Sequence, residues 1–310
     1  MTIVTVLCLL WAGFVYQLIS VKYESKKYQP DGQMIEVEGH KMHIYAQGEG
    51  NPTVVMTVGL GSPSAVVDYY RVLEGLSHYT RAVVYERPGY GWSEKSTTPR
   101  TIEQMTKELF LLLEKSGETP PYVLVGHSMG SLEILHFAQT YPGLVAGVVL
   151  VDGGSPEYYR TVKFSTALKA VIHGTRLVTR LGLIRILGNA ATSLGISTMT
   201  YFPKDMRNKA KAKFYSNWFN DNSIQELKQL NRNAAIVESN GPIGDIPFVL
   251  LSSEKSIKGV RGWDETQKKL LAWSANSRMK VIQGTSHSMH FNHPEAIVKE
   301  IVQVVSPNRQ

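Results

Sequence analysis

Gly126-His127-Ser128-Met129-Gly130 follows the apolar run Tyr122-Val123-Leu124-Val125 and precedes a helix-forming stretch, Ser131 to Thr140. A serine set in this way at a strand-to-helix junction reads as a G-x-S-x-G nucleophile elbow, a sharp turn that lifts a hydroxyl above the end of a strand. Glycines at both ends let the turn close where a Cβ would collide. Ser128 is the candidate nucleophile, and the bland alternative is a turn serine. A serine hydroxyl attacks a carbonyl only when a neighbouring imidazole takes its proton, and that imidazole needs a carboxylate to fix its tautomer. Gly284-Thr285-Ser286-His287 follows the strand candidate Met279-Lys280-Val281-Ile282. His287 therefore stands on a loop at a strand end, where a base belongs. His290 and His293 follow it closely and compete for the role. A zinc reading of this loop finds no matching cysteine pattern or H-E-x-x-H motif, so no metal and no organic cofactor is expected.

The tetrahedral intermediate needs backbone N–H groups aimed at its oxygen. One donor is expected from Met129, directly after the nucleophile. The second is expected from Leu60, in Gly59-Leu60-Gly61-Ser62 after the strand candidate Thr53 to Val58. An ordinary glycine-rich turn is the competing reading of that loop.

Together these residues resemble the α/β-hydrolase superfamily, in particular small serine hydrolases related to proline iminopeptidases and esterases. Tyr85-Glu86-Arg87-Pro88-Gly89-Tyr90-Gly91-Trp92-Ser93 is similar to the family's D-R-x-G-x-G-x-S turn, with Glu86 where aspartate is usual. Pro120 to Ser128 and Ala146 to Asp152 are also family-like, and Pro294-Glu295 follows His287 at the family's spacing. The likeness runs from about residue 34 to 305, interrupted by a middle insertion. It implies the chain order serine, acid, histidine, makes His290 and His293 flanking residues, and implies a triad with no cofactor. One position departs from the pattern. The family's acid usually follows the strand Pro247 to Leu251, but here Ser253-Glu254-Lys255-Ser256 places serine where aspartate is usual. Asp152, Glu254 and Asp264 are the alternatives, against bland readings as a strand-end turn, a salt bridge and a helix N-cap. Asp152 is preferred, because other branches supply the acid from the preceding strand.

Around these residues the chain alternates strands and helices. A hairpin, Met34–Val37 and Met42–Ala46, precedes parallel strands centred near Val54, Ala82, Val123, Val148, Val249 and Val281. This predicts a mostly parallel doubly wound sheet, and the resemblance implies that it is an α/β-hydrolase fold with an inserted helical lid. The 310 residues fit one such domain, and a hydrophobic content of 43% with 19% charged residues excludes a disordered chain. Cys8 is the lone cysteine, so no intramolecular disulfide is possible and the compartment is left open.

The N-terminus adds a second function. Ile3 to Val21 carries no charge and is long enough as a helix to cross a bilayer, with Lys22, Lys26 and Lys27 after it. A secretory signal is the rival, but no basic n-region and no A-x-A cleavage site is present. The expected organisation is a single-pass anchor over 1–22, a polar tether over 23–33, core over 34–154, lid over 155–242 and core again over 243–310. The lysines put the C-terminal side in the cytoplasm, but with no basic residue before the helix the side of the membrane stays open.

The lid region carries the basicity. From Ser155 to Lys213 there are 11 Lys/Arg against Glu157 and Asp205, whereas the whole chain is +7. Lys169, Arg176, Arg180 and Arg185 interleave with Val171, Leu177, Leu181, Leu183 and Ile186. This suits either a solvated face or a segment resting on anionic headgroups. No nucleic-acid motif accompanies the charge.

The sequence thus predicts a membrane-anchored serine hydrolase acting on a lipophilic carboxylic ester. A proline iminopeptidase-like peptidase would need lid carboxylates for the substrate's amino terminus. A non-catalytic binding protein on the same fold would explain Ser256.

Overall fold

The protein is described here by a computed structural model, which covers residues 2–188 and 202–306. Positions 189–201 of the expected lid and the last four residues lie outside the described residues. Eight strands form one sheet: β1 (Gln33–Val37), β2 (His40–Gln47), β3 (Thr53–Thr57), β4 (Ala82–Glu86), β5 (Tyr122–His127), β6 (Val145–Val151), β7 (Phe248–Ser253) and β8 (Ser277–Ile282). Their spatial order is β1-β2-β4-β3-β5-β6-β7-β8. The β1–β2 hairpin is antiparallel and joins β4 antiparallel, and the other pairs are parallel.

Both faces of the parallel strands are covered by helices, which is why β3 to β7 read as continuous Val- and Leu-rich runs. One face is covered by α4 (Ile102–Ser116) and α5 (Gly130–Thr140), with Leu109, Leu112 and Phe137 at zero exposure. The other is covered by α2 (Ala65–Asp68), α3 (Tyr70–Ser77) and α14 (Pro294–Val305), with Leu73, Leu76 and Ile301 equally buried. From β3 the chain runs to β4 on one side, and it then returns to place β5 on the other. The loops after β3 and β5 therefore diverge at the carboxyl edge of the sheet, the crevice in which open α/β sheets bind ligands.

Between β6 and β7 the chain is helical: α6 (Pro156–Thr161), α7 (Thr166–Arg180), α8 (Leu183–Leu187), α9 (Lys204–Asn217) and α10 (Asp221–Asn240). After β7 come α11 (Glu254–Gly259) and α12 (Trp263–Leu270), and α13 (Met289–Asn292) follows the histidine loop. The N-terminal helix α1 spans Ile3–Lys27. It thus takes in five residues assigned above to the tether. Lys22, Glu24, Lys26 and Lys27 are charged but are good helix formers, and the helix stops only ahead of Pro30 and Gly32.

Candidate active site

β5 delivers Ser128 to the carboxyl edge, and α5 starts two residues later. Ser128 has φ +51°, a left-handed conformation that side-chain-bearing residues seldom adopt. The turn closes this tightly because Gly130 lacks a side chain: a Cβ there would lie 2.7 Å from the Val58 carbonyl oxygen. Among the described non-glycine residues only Glu38, Ser128, Asp152 and Phe219 have positive φ. Two of those four meet at this site. Such strain persists only where surrounding contacts enforce it, and those contacts are evident around both residues.

His287 Nε2 lies 2.9 Å from Ser128 Oγ, and its Nδ1 lies 2.7 Å from Asp152 Oδ2. A carboxylate only accepts, so Nδ1 carries the proton and Nε2 is free to take one from the hydroxyl. Asp152 is fully buried directly after β6. The Ser253 N–H donates to Oδ1 at 2.8 Å, and the hydroxyls of Ser253 and Ser256 donate to Oδ2 at 3.0 and 2.6 Å. Burial pushes this carboxyl up, but the His287 hydrogen bond and charge, then Ser256 and Ser253, outweigh it and hold it below its ordinary value. Ser256, at the position where an aspartate was expected, thus acts as a donor to Asp152.

The other candidates face elsewhere. Glu254 pairs with Lys258 and accepts the Gly284 N–H at 2.8 Å, and Asp264 pairs with Lys268 at 2.7 Å. His290 is buried on α13 with Nε2 4.0 Å from Asp68, and burial pushes its pKa down to about 3. Because the Asp152 carboxylate is depressed, the stability it contributes is present above its ordinary pKa and is lost as pH falls through the folded value. The difference in urea midpoint between wild type and Asp152→Asn is therefore expected to shrink from about pH 6 to about pH 3. A difference that grows on acidification would contradict this.

A family model for the alpha/beta hydrolase fold matches residues 52–294, well over half of the chain. The chain belongs to the alpha/beta hydrolase fold family. It is similar to the uncharacterized protein YbdG of Bacillus subtilis, with 26% identity over 290 residues covering 92% of this chain and 89% of that protein. Lipase LipV of Mycobacterium tuberculosis is 31% identical over 114 residues, 36% of this chain and 41% of the lipase. Among solved structures, the epoxide hydrolase VrEH1 from Vigna radiata superposes with a TM-score of 0.68 at 18% identity, covering 89% of this chain and 98% of that one.

In this alpha/beta hydrolase Ser128 and His287 open into a cavity of about 300 Å³. Leu60 and Met129, the two expected oxyanion donors, line it beside Ser128 and His287. Tyr158, Tyr159, Phe164, Leu230, Val260 and Trp263 line most of the remainder, with Ser256, and among the described residues no carboxylate, Lys or Arg contributes to the lining. The carboxylates of α10 are engaged elsewhere: Asp221 with Arg176 and Arg180, Glu226 with Arg87, and Glu238 with Arg160.

Four supporting residues were given no role in the sequence reading. Burial holds His127 well below the ordinary histidine value, so its ring is neutral, and its Nε2–H donates to the His287 carbonyl at 2.8 Å. Arg87 is buried and donates to Val58 O at 2.9 Å and Gly59 O at 3.3 Å, the carbonyls just ahead of Leu60. Its Nε bonds Glu226 of α10 at 3.0 Å, tying the lid to that loop. Tyr159 Oη stands 3.4 Å from Ser128 Oγ. Arg87 was visible within the E-R-P-G turn, whereas Glu226 and Tyr159 lay in helices with no chemical pattern around them. At that separation Tyr159 makes a long hydrogen bond, so Tyr159→Phe is expected to lower kcat by about tenfold or less with KM nearly unchanged. Steady-state kinetics on a chromogenic ester checks it, and a loss of several hundredfold would assign Tyr159 a larger part.

Proposed function

We propose that this protein is a serine hydrolase that cleaves an apolar carboxylic ester and is held at a membrane by α1. The observation that carries the reading is the Ser128–His287–Asp152 chain, at 2.9 and 2.7 Å, opening into a cavity lined by Tyr158, Tyr159, Phe164 and Trp263. Ser128 Oγ attacks the ester carbonyl as its proton passes to His287 Nε2, and Asp152 stabilises the imidazolium. The N–H groups of Leu60 and Met129 receive the oxyanion, Met129 standing at the positive end of α5. His287 then protonates the departing alkoxide. The ring is half exposed, so water reaches it to be activated for hydrolysis of the acyl-enzyme.

The cavity lies at the small end of ligand pockets, which suits one limb of an ester enclosed and the other outside. A lipase among the relatives fits an ester substrate. An aminopeptidase would need an acidic group to hold a substrate ammonium, and the described residues of the cavity lining include none. The non-catalytic alternative rested on Ser256, and Asp152 beside His287 removes that reason. The anchor is supported by the length of α1, roughly 38 Å at about 1.5 Å per residue, against a hydrocarbon core of about 30 Å.

The test is to treat the full chain in detergent with a fluorophosphonate probe and map the adduct by mass spectrometry. Labelling at Ser128, absent in Ser128→Ala together with loss of ester hydrolysis, is the expected result. Folded protein that takes up no probe overturns the reading.

A further inference from the structure

Helix α1 is packed the wrong way round for water. Its two buried residues are Gly13 and Gln17, while Leu9, Trp11, Leu18 and Ile19 are more than half exposed. A helix on a soluble domain turns its apolar stripe inward. Here the inward contacts are small and polar. A Cβ on Gly13 would meet Leu181 O at 2.6 Å, and one on Gly182 would meet Gly13 O at 2.7 Å, so the two backbones touch. Gln17 donates to Tyr215 O at 2.6 Å and accepts from Arg185 Nε at 2.9 Å, and Arg185 Nη2 bonds Glu24 at 2.8 Å. Small residues and polar side-chain bonds are the means by which helices associate in lipid, where apolar faces gain little from one another.

The partner of α1 is the lid. Beyond α1, the exposed large apolar residues among those described are Tyr79, Leu168, Val171, Leu177, Ile186 and Val260. Four of these six lie on α7 and α8, the pair that Gly13, Gln17 and Glu24 hold through Leu181, Gly182 and Arg185. A fifth, Val260, lines the active-site cavity, as does Phe164, two residues before α7 starts. Exposed apolar surface is thus concentrated on α1 and on the lid helices it grips, and reaches the cavity. Three cations of α7 and α8 are held by carboxylates. Arg176 and Arg180 are paired with Asp221, and Arg185 with Glu24. The side chain of Lys169 lies outside the described residues.

We propose that α7 and α8 sit in the bilayer together with α1, as one unit latched through Gln17, Arg185 and Glu24, and that the cavity over Ser128 takes its ester from the lipid phase. This rests on the membrane reading of α1. The contact is apolar, so it does not need anionic lipid.

The full chain with Cys8→Ser supplies a thiol-free background. Single cysteines at Leu9, Val171, Leu177 and Tyr79 are labelled with a polarity-sensitive fluorophore. The protein is then reconstituted in phosphatidylcholine vesicles, with and without phosphatidylglycerol, carrying a nitroxide lipid. Positions 9, 171 and 177 are expected to be quenched at least about twofold relative to position 79, equally in both vesicles. Quenching at 9 with 171 and 177 in water overturns the lid inference and leaves the anchor standing. Quenching at none of these overturns the anchor as well. Quenching of the lid positions only with phosphatidylglycerol overturns the apolar contact in favour of headgroup attraction. In parallel, Val171→Glu/Leu177→Glu is expected to raise the apparent KM about tenfold for a long-chain ester dissolved in the vesicles. Its kcat/KM on a water-soluble short-chain ester stays at the wild-type value. Equal losses on both substrates overturn delivery from the bilayer.

Discussion

Asp152→Asn is expected to lower kcat by about 10⁴ at neutral pH while KM changes little. The reason is tautomeric. In the wild type the carboxylate accepts from His287 Nδ1 at 2.7 Å, which leaves Nε2 unprotonated and facing Ser128 Oγ at 2.9 Å. An asparagine amide donates toward Nδ1, places the ring proton on Nε2, and removes the lone pair that must receive the serine proton. Ser256→Ala is a far smaller perturbation. Oδ2 keeps His287 and Ser253, and Oδ1 keeps the Ser253 N–H, so the expected loss is under about tenfold. Glu254→Gln and Asp264→Asn change ester hydrolysis by less than about twofold, since both side chains face lysines. A carboxylate returned at position 256 offers a sharper test. Ser256 Oγ is 2.6 Å from Asp152 Oδ2, so Asp152→Ser/Ser256→Asp sets an acid within reach of the same imidazole. It is expected to regain at least about tenfold over Asp152→Ser alone, read as kcat on a soluble ester. Asp152→Asn within tenfold of wild type would remove Asp152 from the reaction.

Why the candidate acid was ambiguous in the sequence, while the candidate nucleophile was not, follows from what each depends on. Ser128 is specified by its immediate neighbours, a strand before it and two glycines around it. Asp152 is specified across strands: β6 and β7 run in register with Val151 opposite Leu251, which brings Asp152 beside Ser253. Read that way, Ser253 and Ser256 were themselves a signal, two hydroxyls where an acid would stand, needing a carboxylate from the neighbouring strand. Strands β3 to β7 were legible because burial on both faces demands unbroken apolar runs, whereas β8, at the sheet edge, has no fully buried residue. The helix α1 runs on past residue 22 because Lys22, Glu24, Lys26 and Lys27, which read as solvated linker, do not stop a helix. The arginines of the lid looked free because Asp221 and Glu24, their partners, lie far away along the chain.

Arg87→Ala is expected to cost about 3–5 kcal/mol of stability, the range for breaking a buried ion pair by removing one partner. Arg87 is 2% exposed and Glu226 and Glu133 are 1% exposed each, so truncation takes the arginine from two buried carboxylates and leaves Glu226 with Tyr90 at 2.6 Å and Arg100 at 3.9 Å. Glu133 has already been pushed by burial up to about 7, despite the arginine beside it, so its environment tolerates charge poorly. For a chain of this size the loss appears as a fall in Tm of roughly 6–15 °C. Activity is expected to drop further than stability explains, because the same guanidinium holds the carbonyls of Val58 and Gly59 immediately before Leu60. Well below the lowered Tm, kcat then falls with KM nearly constant, the split expected when an oxyanion donor is misplaced and substrate binding is spared. Arg87→Leu/Glu226→Leu separates the two effects. Removing both charges takes away the carboxylate that lost its arginine, so this variant is expected to be more stable than Arg87→Ala, while the loop ahead of Leu60 stays untethered and kcat stays low. Recovery of kcat together with stability would show that Arg87 only holds the lid on the core, and an Arg87→Ala protein within about 1 kcal/mol of wild type would deny it even that.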